Sequence, residues 1–341
     1  MMKAAVVEKP GVLTVRDVPE PACGEYDAFC EVLFGAICTG TDTHIYDGVF
    51  PWLAPYPFIL GHESIGRVLK VGSKVRMFRP GDLVTRIHTT PVGDCNVTWG
   101  GFAQRAIARD HWAMKHDGID AAQWMPHRVN QLLPPDTDPA AATMIVTWRE
   151  TFSYISRMGV GRGSTVLVVG SGGNAMAFVA HARNLGAANV TVVGSPGRAT
   201  SARQIGATEY LDYQQPDWQD RLAALCPDGF DFVLDTLGRV GMLDTCLKFV
   251  KTGGSLALYG LDDFGKSTIN PISARGTFRY FAGGYDESEV HEQVVAHMRA
   301  GRLDARHWLN LDHPYPLADI NDAFAALRQR TQLKAVIRVH D

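Results

Sequence analysis

Short apolar runs separated by turn residues dominate about the first 145 positions of the chain. The four clearest runs cover residues 4–7, 29–34, 66–71 and 82–85. Their length and residue types are those of β-strands, and Gly and Pro separate them. Prolines at 51, 55 and 57 rule out a helix there and predict a loop. This part of the chain is therefore predicted to be irregular and all-β.

From about residue 146 to 284 the pattern changes to alternating strand and helix. Residues 165–169 form an apolar run that suits a strand buried on both faces, and residues 175–185 have helical spacing of small and apolar side chains. Further strands are predicted at 190–193, 230–234 and 255–259. Alternating strands and helices imply a parallel sheet with right-handed crossovers. The predicted fold class is α/β, with a doubly wound sheet.

The chain beyond residue 285 predicts two helices, near 288–300 and 318–329, and a closing strand at 334–339. No internal repeat, low-complexity tract or long linker separates the three stretches. We therefore expect them to fold together.

Composition narrows the class of protein. With 341 residues, 46% of them hydrophobic and 20% charged, the chain can bury a sizeable core. The net charge is −3 without long blocks of one sign, which argues against nucleic acid as a partner. We read no signal peptide and no run of roughly 18 to 20 apolar residues, so no membrane partner is expected. Six scattered cysteines favour free thiols and a cytoplasmic location.

A glycine cluster carries the strongest chemical signal. Gly170-Ser171-Gly172-Gly173-Asn174-Ala175 follows a predicted strand and opens a predicted helix, and it fits the pattern G-x-G-x-x-G/A. The first glycine permits a tight turn, the second lets the backbone approach a pyrophosphate, and the small last residue lets helix and strand pack closely. The helix start offers N–H groups and a positive dipole to phosphates. The cluster predicts a dinucleotide site.

The end of the second strand of this unit indicates which dinucleotide binds. A site for NAD places a carboxylate there to bind the ribose 2′-hydroxyl. This chain has Gly194-Ser195-Pro196-Gly197-Arg198 instead, with Arg203 further on. A hydroxyl and a guanidinium suit a 2′-phosphate. The sequence therefore favours NADP(H) as the coenzyme, with NAD as the second candidate. The structural alternative is that Ser195 and Arg198 belong to a solvated turn that binds no coenzyme.

A second chemical signal lies in the first stretch. Cys38 is followed by Thr41, Asp42 and His44, and His62-Glu63 comes some twenty residues later. Cysteine, histidine and carboxylate suit Zn²⁺, and three protein ligands with one open position make a catalytic site. Each residue also has a structural interpretation, with Cys38 as a small buried hydrophobe and His62-Glu63 as a satisfied polar pair. Spacing alone does not separate these interpretations.

Several motifs together resemble the zinc-containing medium-chain dehydrogenase/reductase (alcohol dehydrogenase) family over nearly the whole chain. They are residues 61–68 (GHESIGRV), 79–84 (RPGDLV), 100–104 (GGFAQ) and the 170–175 cluster. The resemblance implies a GroES-like catalytic domain at 1–148, a Rossmann coenzyme domain at 149–284, and a return to the catalytic domain at 285–341. It also implies a homodimer or homotetramer.

The resemblance assigns roles by position. Cys38 and His62 are similar to two catalytic zinc ligands, and Glu63 to the carboxylate that approaches the metal. Thr41 resembles the residue that hydrogen-bonds the substrate oxygen, and His44 the outer end of its proton relay. Asp42 resembles the acid that orients the zinc histidine. The Gly194-Ser195 turn and Tyr213 resemble the 2′-phosphate contacts of NADP-dependent bacterial secondary-alcohol dehydrogenases.

The chain departs from the family pattern in three places. Thr39 and Gly40 both stand between Cys38 and the Thr-Asp pair, where the family has one residue. At the third ligand position the alignment places Thr147, with Val146 the near alternative. Glu150 or Glu63 would then complete the metal shell, or the metal would be weak or absent. The four-cysteine lobe of the family's structural zinc is missing, so no structural zinc is expected.

The predicted function is an NADP(H)-preferring oxidoreductase that interconverts an alcohol and its carbonyl compound, with zinc at the catalytic site. Candidate substrate-pocket residues are Thr89, Trp99 and Trp148, although both tryptophans are equally consistent with core positions. The first alternative is a zinc-free reductase of the same superfamily that acts on an activated C=C or C=O bond. A non-catalytic nucleotide sensor is the second.

Overall fold

A computed structural model describes residues 1–52 and 55–340 of the chain. The strands are β1 (Met2–Lys9), β2 (Val12–Val18), β3 (Asp27–Ile37), β4 (Phe58–Ile59), β5 (Glu63–Val71), β6 (Leu83–Thr85), β7 (Asn96–Val97), β8 (Arg105–Arg109), β9 (Gln131–Leu133), β10 (Thr165–Val169), β11 (Asn189–Gly194), β12 (Glu209–Asp212), β13 (Phe230–Asp235), β14 (Val250–Leu258), β15 (Arg279–Phe281), β16 (Tyr315–Pro316) and β17 (Ala335–Arg338). The helices are α1 (Thr41–Tyr46), α2 (His111–His116), α3 (Ala121–Trp124), α4 (Pro139–Ala142), α5 (Met144–Met158), α6 (Gly173–Asn184), α7 (Ala199–Ile205), α8 (Trp218–Leu225), α9 (Met242–Leu247), α10 (His291–Arg299) and α11 (Ile320–Arg328).

The chain divides into two compact units. The first comprises Met1–Val146, His291–Ala296 and Asp304–Asp341, and the second comprises Thr147–Val290 and His297–Leu303. The first unit is rich in β-strands and the second is an α/β unit, as the sequence predicts.

The first unit contains two sheets. One has the strand order β2-β1-β4-β7, and the other has the order β16-β17-β3-β5-β6-β9 with β8 also paired to β3. Strand β3 is long and pairs antiparallel with β5, β8 and β17. Two register shifts interrupt its pairing with β5, and irregularities of this kind bend a strand locally. The predicted strands at 4–7, 29–34 and 66–71 lie within observed strands, and the one predicted at 82–85 begins one residue before β6.

The prediction that the first stretch is all-β is wrong in one respect, because α1 to α4 also lie there. Aspartate side chains cap three of these short helices at their N-termini. Asp110 accepts a hydrogen bond from the Ala113 N–H at 2.9 Å, and Asp138 caps α4 in the same way. Capping satisfies backbone donors that a short helix otherwise exposes. Tertiary packing and these caps stabilise helices that the apolar periodicity does not predict.

The second unit is built on a six-stranded parallel sheet with the order β12-β11-β10-β13-β14-β15. Strand β10 coincides with the predicted run at 165–169, and its last four residues are buried. Helix α6 follows it directly, as predicted, and its residues Ala175 to Ala182 are buried without interruption. The sequence did not predict β12 and β15, which are short strands at the two edges of this sheet.

The elements predicted beyond residue 285 and the state of the cysteines agree with the structure. Helices α10 and α11 and strand β17 lie where the pattern beyond residue 285 predicts them. All six cysteines are free thiols. Within the described residues, the helices fall short of the length and apolar character that a bilayer span requires.

Candidate active site

The ends of two paired strands bring Cys38, His62 and Glu63 together in the first unit. Cys38 directly follows β3, and Glu63 opens β5 opposite Ala36 of β3 in the antiparallel register. Gly61 precedes His62 with φ 102°, and a Cβ at this position would collide with Phe102. The turn that delivers His62 therefore requires glycine.

The three side chains form a compact, buried donor set. The thiol, one imidazole nitrogen and one carboxylate oxygen all lie within 4.8 Å of one another. His62 Nε2 lies 3.9 Å from Glu63 Oε1. Soft sulfur, imidazole nitrogen and carboxylate oxygen are the donor types that Zn²⁺ takes in catalytic sites. The chemistry of the donor set therefore fits the metal that the sequence predicts.

Asp42 lies behind two members of this set and is fully buried on α1. Its carboxylate accepts a hydrogen bond from the Cys38 N–H at 2.9 Å and lies 3.4 Å from His62 Nδ1. Burial disfavours the charged imidazole, but the Asp42 carboxylate and Cys38 raise the pKa of His62 well above its usual range. Contact with Asp42 through Nδ1 leaves Nε2 to face the other donors, which is the arrangement of a ligating histidine.

The extra residue after Cys38 is absorbed by a helical turn. The Asp42 N–H donates to the Cys38 carbonyl oxygen at 3.0 Å, which closes the turn over Thr39 and Gly40. Both the Cys38 thiol and the Asp42 carboxylate thus reach the cluster despite the departure from the family spacing.

A buried ion pair joins Glu63 to Lys334. The Lys334 Nζ lies 2.5 Å from both carboxylate oxygens, and each side chain is 1% exposed. Burial alone would lower the pKa of Lys334, but the Glu63 carboxylate, with Cys38 and Asp42, raises it above its usual range. Lys334 is therefore a charged member of the site that the sequence analysis missed.

Thr41 and His44 share helix α1 with Asp42. Thr41 is its first residue, and His44 lies one turn further along the same helix. The His44 Nδ1 contacts the Gly40 carbonyl oxygen. The ring is therefore held by the backbone at the start of the helix. The predicted proton relay from Thr41 to His44 stays a prediction.

A cavity of about 230 Å³ adjoins the cluster within the first unit. Trp99 lines it, and the Trp99 ring centroid lies 5.1 Å from that of His62. His88 and His127 stack against each other in its wall, and burial lowers the pKa of each to about 4. Both imidazoles are therefore neutral hydrogen-bonding groups at neutral pH. The cavity combines an aromatic wall with two uncharged imidazoles, and the cationic Arg86 also lines it.

Backbone strain marks the same cavity. Arg86 and Trp99 both line it, and both have a positive φ, 57° and 65°. The Arg86 guanidinium lies over the Trp99 ring at 6.0 Å from its centroid. Non-glycine residues in this region cost free energy and concentrate at functional sites. Thr89, the other predicted pocket residue of this unit, is buried and donates its N–H to the Trp99 carbonyl oxygen at 3.1 Å.

The glycine cluster adopts the predicted strand–turn–helix geometry in the second unit. Gly170 follows β10 with φ 124°, and a Cβ there would collide with the Thr236 hydroxyl. Gly172 is the N-cap of α6 without a capping side chain, and open space lies where its Cβ would be. Gly173, Asn174 and Ala175 form the first turn of that helix. This geometry leaves room for a phosphate to approach the helix N-terminus.

The turn after β11 is tied to this cluster. The Ser195 N–H donates to the Ser171 hydroxyl at 3.0 Å, and the Tyr210 hydroxyl donates to the Ser195 carbonyl oxygen. A Cβ on Gly194 would collide with Tyr210 and Ser171. Arg198 ends the adjoining 3₁₀ turn, and the half-exposed Tyr213 donates its N–H to the Gly194 carbonyl oxygen at 3.2 Å. The structure thus brings the predicted 2′-phosphate residues to one turn.

Ser171 and Tyr210 are the residues of this region that the sequence analysis did not assign. Ser171 lies inside the glycine motif, and its hydroxyl could have been predicted as a hydrogen-bonding group of the site. Tyr210 belongs to the short edge strand β12, which carries no strong apolar pattern.

Of the residues considered for the third ligand position, Thr147 and Glu150 belong to the second unit, whereas Val146 and Glu63 belong to the first. Thr147 and Trp148 are buried on α5, and the Glu150 carboxylate accepts a hydrogen bond from the Tyr259 hydroxyl at 3.4 Å. Glu63, the other candidate, lies within the donor set of the first unit. Glu63 is therefore the carboxylate that the geometry pairs with Cys38 and His62.

Comparison with known proteins agrees with this architecture. A model for the alcohol dehydrogenase GroES-like domain matches residues 24–119, and a model for the zinc-binding dehydrogenase family matches residues 173–295. Sorbitol dehydrogenase of Bacillus subtilis is 26% identical and aligns over 94% of this chain and 92% of its own length. L-threonine 3-dehydrogenase of Anaeromyxobacter sp. is 28% identical over 98% of both chains.

A solved structure supports the fold. A protein from Sinorhizobium meliloti, classed as a zinc-binding dehydrogenase and crystallised with NADP, superposes with a TM-score of 0.80, at 23% identity over 99% of both chains. The predicted GroES-like and Rossmann architecture is thereby confirmed. The chain belongs to the zinc-containing medium-chain dehydrogenase/reductase family and is an oxidoreductase of the alcohol dehydrogenase type.

Proposed function

We propose that this protein interconverts an alcohol and its ketone or aldehyde, prefers NADP(H), and uses a zinc ion held by Cys38, His62 and Glu63. The observation that carries the proposal is the buried thiol–imidazole–carboxylate set, with donor atoms within 4.8 Å of one another. Asp42 also places a carboxylate against the far nitrogen of the His62 imidazole. Metal-binding histidines commonly have such a partner, whereas a cluster with a purely structural role does not require it.

A zinc ion bound by these residues supplies a Lewis acid that polarises a carbonyl oxygen and lowers the pKa of an alcohol. The protein's own groups fix the ligands around it. Asp42 orients the His62 ring through Nδ1 and restrains Cys38 through its backbone N–H. Burial of all three donors excludes water from the reacting position.

Thr41 and His44 are proposed to move the proton of the alcohol. The Thr41 hydroxyl, at the start of α1, accepts a hydrogen bond from the alcohol group of the substrate. The His44 imidazole, one helical turn away, transfers the proton toward solvent. His44 is half-buried and anchored by its contact with Gly40, so its ring has a defined position.

The cavity beside the cluster is proposed to hold the carbon skeleton of the substrate. Trp99 contributes an apolar face, while the neutral His88 and His127 offer hydrogen bonds to further hydroxyl groups. This combination suits a polar alcohol better than a long alkyl chain. The named activities of the Bacillus and Anaeromyxobacter relatives, on sorbitol and threonine, support a substrate with several polar groups.

The coenzyme is proposed to bind through the turns after β10 and β11. Gly170, Gly172 and the start of α6 take the pyrophosphate, with Gly173, Asn174 and Ala175 in the first turn. Gly194 and Ser195, with Arg198 and Tyr213, take the 2′-phosphate of NADP(H), for which the guanidinium provides charge-assisted hydrogen bonds. NADP in the Sinorhizobium structure supports the same preference.

The division into a catalytic domain at 1–148, a coenzyme domain at 149–284 and a returning segment at 285–341 remains part of this proposal. So does a homodimeric or homotetrameric assembly, which the mass of the purified protein in solution tests.

One set of kinetic experiments tests the function. The purified enzyme is assayed on a panel of polyols, hydroxy acids and simple secondary alcohols with NADP⁺ and with NAD⁺, before and after dialysis against a chelator. We expect turnover with NADP⁺, its loss on dialysis and its return with zinc. Full activity after complete metal removal would favour the zinc-free reductase, and the absence of turnover on every substrate would favour a nucleotide sensor.

A further inference from the structure

The Lys334–Glu63 pair is positioned by the strands that carry the donor set. Lys334 directly precedes β17, whose first residue, Ala335, pairs with Ile37 at the end of β3. The Lys334 N–H donates to the Trp308 carbonyl oxygen at 3.2 Å, so its backbone is fixed as well. Because β5 and β17 flank β3 on opposite sides, the ammonium and the carboxylate meet beside Cys38.

The ammonium and a metal ion require the same carboxylate. Both Glu63 oxygens lie 2.5 Å from Lys334 Nζ, and one of them, Oε1, also lies 3.9 Å from His62 Nε2. A carboxylate whose negative charge is already paired with an ammonium binds a metal cation more weakly. The two positive charges would also repel each other at short range in a buried site, where solvent screens weakly.

Charge counting shows what the lysine contributes. With Cys38 as a thiolate, the cluster has three acidic groups, the other two being Asp42 and Glu63, against the single ammonium of Lys334. A divalent cation bound to this cluster brings its formal charge to zero. Without the lysine, the same cluster would retain one negative charge and attract a cation more strongly.

We propose that Lys334 is a positioning residue for the metal, which holds Glu63 as a weak and exchangeable ligand and so lowers the affinity of the site for divalent cations. The inference rests on the metal site proposed above. Its consequence is a cation bound mainly by Cys38 and His62, with a ligand position that Glu63 does not permanently occupy. A cation with one thiolate ligand and no second full anionic ligand is a stronger Lewis acid than one that Glu63 also binds.

The dissociation constant for Zn²⁺ tests this inference. Metal-free full-length protein is titrated with Zn²⁺ against a chromophoric chelator, and the wild type is compared with K334M and K334Q. K251M is the matched control, since Lys251 forms a surface ion pair with Asp231 in the second unit. We expect Lys334 variants to bind Zn²⁺ about tenfold or more tightly than wild type, with K251M unchanged.

Cobalt provides a spectroscopic readout that is independent of turnover. With Co²⁺ in place of zinc, we expect both Lys334 variants to shift the visible absorption bands of the ion, because Glu63 becomes a full ligand. Glu63→Gln in the K334M background should remove that shift.

The outcomes separate this inference from the function on which it rests. Wild-type protein that binds neither ion would refute the metal site itself. Wild-type binding with equal or weaker affinity in folded K334M or K334Q would overturn only the role of Lys334. If both single variants fail to fold while E63Q/K334M folds, the pair is structural and the inference is wrong.

Discussion

At the scale of single residues, the site combines short motifs with one distant partner. Cys38 and His62-Glu63 stand in local patterns, which is why the sequence predicts them as ligands. Lys334 lies 271 residues from Glu63 along the chain, directly before a strand whose pattern is that of ordinary core. No local signal could reveal a pairing that only the neighbouring strands β5, β3 and β17 create.

Asp42→Asn tests the role of the carboxylate behind the ligands. The amide can still accept a hydrogen bond from the Cys38 N–H, but it no longer supports the His62 imidazole with a negative charge. We expect zinc affinity to fall about 10- to 100-fold with little change in fold. Chelator competition measures the affinity and circular dichroism monitors the fold. Unchanged affinity would show that Asp42 is only a helix-turn residue.

Arg198→Gln tests the coenzyme preference. Loss of the guanidinium should weaken NADP⁺ about tenfold or more and leave NAD⁺ nearly unchanged, because only NADP⁺ carries the 2′-phosphate. Isothermal titration with both coenzymes gives the ratio. The matched control is Arg221→Gln on the exposed surface of α8. An equal loss for both coenzymes would refute the assignment of this turn.

At the scale of elements, the sequence predicts segments with a strong apolar pattern but does not predict the short elements. Strand β10, helix α6 and strand β11 were predicted within a few residues, because buried parallel strands and their crossover helix have continuous apolar patterns. Helix α1 was missed because Thr41 and Thr43 are weak helix formers, and it is defined by backbone bonds such as that from Asp42 to Cys38.

Substitution by alanine should affect stability differently at two glycines of the turn between β10 and α6. Gly170→Ala should destabilise the fold by about 1–3 kcal/mol, because it forces a Cβ into a positive-φ position against Thr236. Gly172→Ala should leave the free energy of unfolding nearly unchanged, since its φ is −82° and space is open there.

Gly172, where alanine should have little effect on stability, should be sensitive to the same substitution in coenzyme binding. We expect Gly172→Ala to weaken NADP⁺ strongly, because its Cβ would occupy the approach of the pyrophosphate. Urea denaturation gives the stabilities and titration calorimetry gives the affinities. If Gly172→Ala bound NADP⁺ as tightly as the wild type, the pyrophosphate would have to bind elsewhere.

At the scale of the whole molecule, buried histidines in both units make stability depend on pH. Burial lowers the pKa of His88 and His127 to about 4 in the first unit, and that of His181 to about 3 in the second. In an unfolded chain these groups titrate near pH 6.5. At these three positions the unfolded state therefore binds more protons below that pH, and their contribution to stability falls as the pH decreases from about 6.5 toward 4.

His181→Phe isolates one of these groups. His181 is fully buried against Phe152, with ring centroids 5.0 Å apart, so an aromatic ring fits its surroundings. We expect the slope of unfolding free energy against pH between 4.5 and 6 to decrease by up to about 1.4 kcal/mol per pH unit. His313→Phe, on the surface, should leave the slope as it is. Equal slopes for wild type and His181→Phe would contradict the burial argument.

The central claim is that Cys38, His62 and Glu63 hold a catalytic zinc ion. Anomalous scattering from crystals of the active enzyme, measured on both sides of the zinc absorption edge, tests it most directly. We expect one strong anomalous peak within bonding distance of the Cys38 Sγ and the His62 Nε2, with the Glu63 carboxylate nearby. Fully active crystals without a peak among these three side chains would contradict it.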